Sequence, residues 1–164
     1  MAEKTLNTNH GELALPVFFP DATSGVVRTI DSVDLHNTKT DGLVVNTYHI
    51  LRRGIVNIIK EMGGIHKFMN WDKPVISDSG GFQVWSLGQL RKLSEQGVWF
   101  QSPVDGAKIF LWPEESMAVQ QALDADIIMI FDECTHHPAT EPEARASMEL
   151  SLRWAERSKI AHAD

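Results

Sequence analysis

Residues 74–84 read P-V-I-S-D-S-G-G-F-Q-V: an apolar run, an acidic stop at Asp78, two adjacent glycines and a return to apolar residues. A short apolar run closed by turn formers reads as a buried strand, and a Gly-Gly step lets the chain reverse sharply without a Cβ penalty. The stretch is therefore a strand, a tight loop and the start of a helix. The same layout recurs on both sides of it. Leu15 to Phe19 ends at Pro20 and Asp21, Gly42 to Val45 ends at Asn46, Thr47, Tyr48 and His49, and Ile127 to Phe131 ends at Asp132 and Glu133.

The segments between these runs carry helix signals. Asp31 is placed to cap a helix running toward His36, and Ile55, Ile58, Ile59 and Met62 recur at helical spacing before Gly63 and Gly64. Pro113 stands at a first helical position with Glu114 and Glu115 in the first turn. Thr140 and Glu143 form a T-x-x-E capping box, with Met148, Leu152 and Ala155 marking one apolar face. Strand alternating with helix predicts an α/β fold with a parallel sheet. Val98 to Ser102 and Lys108 to Trp112 flank Asp105-Gly106 and predict a β-hairpin inserted between the third and fourth units.

Composition bounds the function classes. An apolar fraction of 43% suits a globular domain, and 164 residues fall short of the roughly 250 that a closed eight-stranded α/β barrel uses. No run approaches the length of a membrane span, Met1 to His10 lacks a signal-peptide layout, and the single Cys134 allows no internal disulfide, so a cytoplasmic protein is expected. The formal charge of −7 has the wrong sign for a domain that grips a phosphate backbone unaided.

In parallel α/β folds the chemistry lies at the C-terminal ends of strands, where Asn46, Asp78 and Asp132 are expected. Each alone also reads as a cap or turn former; three together favour a site. A third reading, a barrel hydrolase with Asp78 and Asp132 as an acid/base pair, accounts for the carboxylates but not for the longer motifs.

Those motifs are D-S-G-G-F-Q-V after F-M-N-W-D-K-P, preceded by N-T-Y-H and followed by F-D-E-C-T-H-H-P-A-T and S-L-R-W-A-E-R-S. In order and spacing, from about Pro16 to Ser158, the chain resembles the tRNA-guanine transglycosylases. The resemblance implies the first four or so units of a (β/α)8 TIM barrel, with residues 1–164 forming one partial barrel domain. It implies a transferase that exchanges a guanine in tRNA for a 7-deazaguanine in queuosine biosynthesis, with tRNA and the base as partners.

Position by position, the resemblance makes Asp78 the catalytic proton acceptor for the incoming base and a base contact, with Ser79, Gly80, Gly81 and Phe82 as the loop beneath that base. Phe82 would stack on the heterocycle, or else be a core phenylalanine. Asp132 would accept the adjacent N–H donors of a guanine edge. Gln83 would add a polar contact, Asn46 and His49 would orient Asp78 or the ribose, with a purely structural His49 as the alternative, and Cys134 would line the pocket. Arg53 stands where many members have proline, and His136-His137 where proline and tyrosine are usual.

The resemblance places the nucleophilic aspartate, the structural zinc and much of the basic tRNA surface in a C-terminal half outside these residues. No metal ligand is assigned within the chain, because Cys134, His136 and His137 are too close in sequence to converge unaided. A half-barrel with two open sheet edges is expected to associate with itself and to be inactive in isolation. The alternative is a non-catalytic half-barrel that binds a base or a partner protein.

Overall fold

The computed structural model describes residues 4–86, 91–102 and 106–163, which pack as two units. The first comprises residues up to Asp78 together with Gln120–Met129; the second comprises Ser79–Val119 and residues from Ile130 onward.

In the first unit, β1 (Lys4–Thr8) and β2 (Gly11–Leu15) form an antiparallel hairpin. A parallel sheet follows, in the order β3 (Leu43–Asn46), β4 (Val75–Asp78), β8 (Ile127–Ile128). Asn46 stands opposite Asp78 in the register. Around it lie α1 (Ser32–Asn37), α2 (Thr47–Arg52), α3 (Val56–Glu61) and α4 (Ile65–Met69). Leu43, Val45 and Val75 from the sheet pack with Ile50, Ile59, Ile65, Trp71 and Leu123 in one buried cluster. Burying such side chains stabilises by about 1.5–3 kcal/mol each.

The expected helix signals hold here. The Asp31 carboxylate accepts the Asp34 N–H at 2.9 Å and the Asp34 carboxylate accepts the Asp31 N–H, a reciprocal cap. After α3, Gly64 takes φ 98° and its N–H reaches the Ile59 carbonyl, a stop that a side chain would resist.

Two strand boundaries differ from expectation. Leu15 to Phe19 is not a strand of the parallel sheet: β2 ends at Leu15, where Pro16 supplies no N–H, and the parallel pairing from this region is a single bridge between Asp21 and Val44. The run Ile127 to Phe131 is a strand only to Ile128. The buried Gln120 takes over the next residue, donating to the Met129 carbonyl at 2.8 Å and accepting the Met129 N–H at 2.9 Å, while the Ser77 hydroxyl donates to the same side-chain oxygen. A glutamine amide offers the donor and acceptor of one peptide group, so it substitutes for a strand partner. Asp132 consequently lies in an irregular segment four residues beyond the strand.

The second unit holds α5 (Gly81–Ser86), a three-stranded antiparallel sheet in the order β5 (Arg91–Leu93), β6 (Val98–Gln101), β7 (Lys108–Leu111), and α7 (Glu141–Ala163). Helix α6 (Pro113–Leu123) starts at the expected proline. The inserted hairpin is β6 and β7, paired from Val98↔Leu111 to Gln101↔Lys108. Asp105 of the expected turn lies outside the described residues; Gly106 donates its N–H to the Ser102 carbonyl.

The apolar face expected on α7 is the wrong one: Met148 and Leu152 are exposed, and Leu150, Trp154 and Ser158 are buried. The cause is the segment leading through Asp132, whose backbone has no sheet partner and takes its bonds from serines of the helix. Ser158 Oγ accepts the Phe131 N–H at 3.3 Å and Ser151 Oγ the Glu133 N–H at 2.9 Å, while Trp154 stacks on Phe131 at 5.0 Å. The inward face is therefore half hydroxyl, which a search for apolar periodicity misses. At the start of α7, Glu143 accepts both the N–H and the hydroxyl of Thr140 at 2.7 Å.

Candidate functional site

The residues singled out in the sequence fall into two sets, one in each unit. In the first unit, β3 ends at Asn46 and α2 begins at the next residue, so Asn46 is the N-cap: its side-chain oxygen accepts the His49 N–H at 3.1 Å. With the oxygen so used, the amide nitrogen faces outward and donates to Oδ2 of Asp78, across the strand pair. The Thr47 N–H donates to Oδ1 of the same carboxylate at 3.1 Å. One residue thus ends a strand, starts a helix and holds Asp78, whose two oxygens each accept a donor suited to the ionised form.

His49 is half-buried, and burial pushes its imidazole below the ordinary value, with the charges of Arg52 and Arg53 adding to the effect and Asp21 opposing it. The shift favours the neutral ring. Its backbone N–H, not its ring, is what the cap at Asn46 engages.

In the second unit the Ser79 hydroxyl accepts the Gly81 N–H at 3.2 Å, which leaves its proton for Oδ1 of Asp132 at 3.4 Å. The Ser79 carbonyl is fixed by the buried Ser116 hydroxyl at 2.9 Å. Cys134 approaches Oδ2 of Asp132 at 3.9 Å as a thiol donor. Burial, then the charges of Asp132 and Glu133, push the Cys134 thiol up to about 11. It is protonated at neutral pH, and as a thiol it is a poor nucleophile.

Gly81 is required by this arrangement, since a Cβ there would lie 2.7 Å from both the carbonyl oxygen and Oδ1 of Asp132. Gly80 takes φ 81° at the turn. Phe82 is 60% exposed beside Trp85, with ring centroids 5.4 Å apart, so it is not a core side chain. Gln83 Oε1 is buried without a hydrogen-bond partner among the described residues. A cavity of about 440 Å³ in this unit is lined by Leu93, Glu95, Glu133, His136, Glu143 and Arg153 among others, and does not include Asp132 or Cys134.

One further polar cluster, in the first unit, had no signal in the sequence, because its members are 60 and 116 residues apart. The buried Asp126 carboxylate meets His10 Nδ1 at 2.9 Å and His66 Nε2 at 3.0 Å, and also accepts the N–H groups of His10 and Val75. Two imidazoles and a carboxylate are ligand types for a divalent cation. The rings, however, stack 3.5 Å apart at 12°, so no single ion lies in the plane of both, while each ring N–H is well placed to donate to one carboxylate oxygen. The cluster ties the β1–β2 hairpin to α4 and β4. The stacked His10 and His66 rings do not fit a zinc ion held by both.

No helix among the described residues is long and apolar enough to cross a membrane. The family model described as queuine tRNA-ribosyltransferase matches residues 4–164. Curated relatives with that name are 52% identical over 96% of this chain in Methylobacillus flagellatus, 52% over 97% in Chromohalobacter salexigens and 54% over 97% in Pseudoalteromonas atlantica. The chain spans 43% of the length of each of these three relatives.

Proposed function

From the chain's membership of the queuine tRNA-ribosyltransferase family, we propose that it supplies the base-binding part of an enzyme that exchanges guanine in tRNA for a 7-deazaguanine. The observation that carries this reading is the Asp78 carboxylate at a parallel strand end, held by the Asn46 amide and the Thr47 N–H. Such a carboxylate is oriented before substrate arrives.

In this reading β3, β4 and β8, with the bridge at Asp21, are the first four strands of one (β/α)8 barrel, and residues 1–164 belong to one barrel domain with β6 and β7 as its insertion. Asp132, held by Ser79 and Cys134, accepts two adjacent N–H donors of the guanine edge. Gln83 Oε1, an acceptor with no donor among the described residues, takes a polar contact from the base, and the exposed Phe82 ring stacks on it. Gly80 and Gly81 let the backbone approach it.

The reaction is a double displacement at the ribose anomeric carbon. A carboxylate from the part of the fold beyond these residues attacks that carbon, the bond to guanine breaks, and the guanine ring nitrogen keeps the electron pair and takes up a proton from water. The incoming base then attacks the glycosyl ester, the ester bond breaks, and Asp78 takes the proton the new base sheds. Zinc, in this reading, belongs to the same later part, and the enzyme works in the cytoplasm.

The test is reconstitution. Combining this chain with the remaining C-terminal portion of the Methylobacillus flagellatus relative is expected to restore incorporation of radiolabelled guanine into tRNA, and Asp78→Ala to abolish it. The chain alone is expected to give none. Incorporation by the chain alone, or incorporation insensitive to Asp78→Ala, would overturn the assignment.

A further inference from the structure

We propose that Arg52 and Arg53, at the end of α2, form a contact for the RNA phosphate backbone within this acidic chain. The inference rests on the RNA-substrate reading above and adds a site to it.

Helix α2 starts at the residue that donates to Asp78 and ends at Arg52, with Arg53 as its C-cap. Its six residues span about 9 Å at 1.5 Å per residue, so the two arginines stand at the far end of the helix from Asp78. His49, Arg52 and Arg53 are spaced i, i+3 and i+4 and so share one side of the helix. After burial, the charges of Arg52 and Arg53 both lower the His49 imidazole, in keeping with that shared side.

The chain's other arginines show what is unusual. Of seven, Arg91, Arg145, Arg153 and Arg157 are paired with Glu133, Glu141, Glu95 and Glu114. Arg28, Arg52 and Arg53 have no carboxylate partner among the described residues, and Arg52 and Arg53 are the adjacent pair. In a protein with 22 acidic residues against 15 basic ones, two consecutive unpaired guanidinium groups are a local reversal of sign. The helix C-terminus favours a cation and accounts for their tolerance. It leaves the guanidinium donor forks open, a geometry that matches phosphate oxygens. The carboxylate that opposes them at His49 is that of Asp21, which takes the Thr23 hydroxyl at 2.7 Å and offsets one of the two charges.

Binding of the purified chain to a fluorescent RNA hairpin with guanine in its loop would be measured against salt. The Arg52→Gln/Arg53→Gln variant is expected to bind at least threefold more weakly at low salt. Its slope of log affinity against log salt should be shallower by about 0.7 for each phosphate that is no longer neutralised. Arg52→Lys/Arg53→Lys should keep most of the slope, and Arg145→Gln, which removes an exposed pair elsewhere, should leave it unchanged. Circular dichroism checks that each variant is folded. A slope and affinity unchanged in the Gln variant, or no salt-dependent binding by the parent chain, overturns the inference. Base exchange in the reconstituted enzyme reads the other question. Exchange with an unchanged slope would remove the phosphate contact alone, and an altered slope without exchange would remove the transferase reading alone.

Discussion

The side-chain amide of Asn46 donates to Asp78 through its nitrogen while its oxygen caps α2. Cap and carboxylate therefore respond together to substitution. Asn46→Ala is expected to cost about 1 kcal/mol from the lost cap alone. Asn46→Asp keeps a cap acceptor but sets two carboxylates against each other, so it should be less stable than the parent at pH 8 and recover toward pH 4, where one carboxyl is protonated. Thermal unfolding at the two pH values checks this; an Asp variant equally destabilised at both would mean that Asp78 does not feel position 46.

Gly81→Ala puts a methyl group 2.7 Å from two oxygens of Asp132. Overpacking of this kind costs about 1–3 kcal/mol, and relief requires Asp132 to move. Reduced guanine affinity, measured by calorimetry on the reconstituted enzyme, is expected together with a lower denaturation midpoint. Gly106→Ala, where the nearest contact is the flexible end of Gln101, serves as the comparison, although its own positive φ also carries a strain cost.

Cys134, with its thiol pushed up to about 11, should react with iodoacetamide at pH 7.5 far more slowly than a free cysteine of pKa about 8.5. The rate should climb about tenfold per pH unit across the neutral range. Asp132→Asn removes one of the charges that raise the thiol, so alkylation should speed up at fixed pH. A rate already saturated at pH 8 would mean a reactive thiolate.

Burial, and then the neighbouring His10, hold the His66 imidazole below 6.5, with Asp126 opposing. The folded state thus binds fewer protons than the unfolded chain once pH drops under 6.5, and stability falls as pH is lowered through that window. His49, depressed for a similar reason, adds a loss of the same sign. The melting temperature should therefore drop between pH 7 and 5, and His66→Gln should flatten the profile. Asp126 adds a loss of the same sign at lower pH. Burial works against its charged form, but the Val75 N–H and His10 outweigh it and lower its pKa, so its stabilisation is lost only below about pH 4.

Exposed apolar side chains include Phe18 at 79% and, on α7, Met148, Leu152 and Ile160 at 52–62%. Sedimentation of the isolated chain should show association that rises with concentration, and Leu152→Glu with Ile160→Glu should reduce it. A monomer at every concentration would show that these side chains are tolerated in water.

The sequence by itself determined the parallel strands that end at Asn46 and Asp78, the cap at Asp31, the helix start at Pro113, and the β6–β7 hairpin. Each rests on neighbours within a few residues: apolar runs, turn formers and cap side chains act through local backbone geometry. Family membership was legible for the same reason, as long motifs in order. Tertiary structure alone decided where β8 stops, which face of α7 turns inward and why Asp126 is buried. Gln120 substitutes for a strand partner, serines of α7 satisfy the backbone that leads through Asp132, and His10 and His66 meet a carboxylate far along the chain. Most buried polar groups are paired, but any suitable partner that folding brings within reach can pair them, so the identity of the partner is not written in the local sequence.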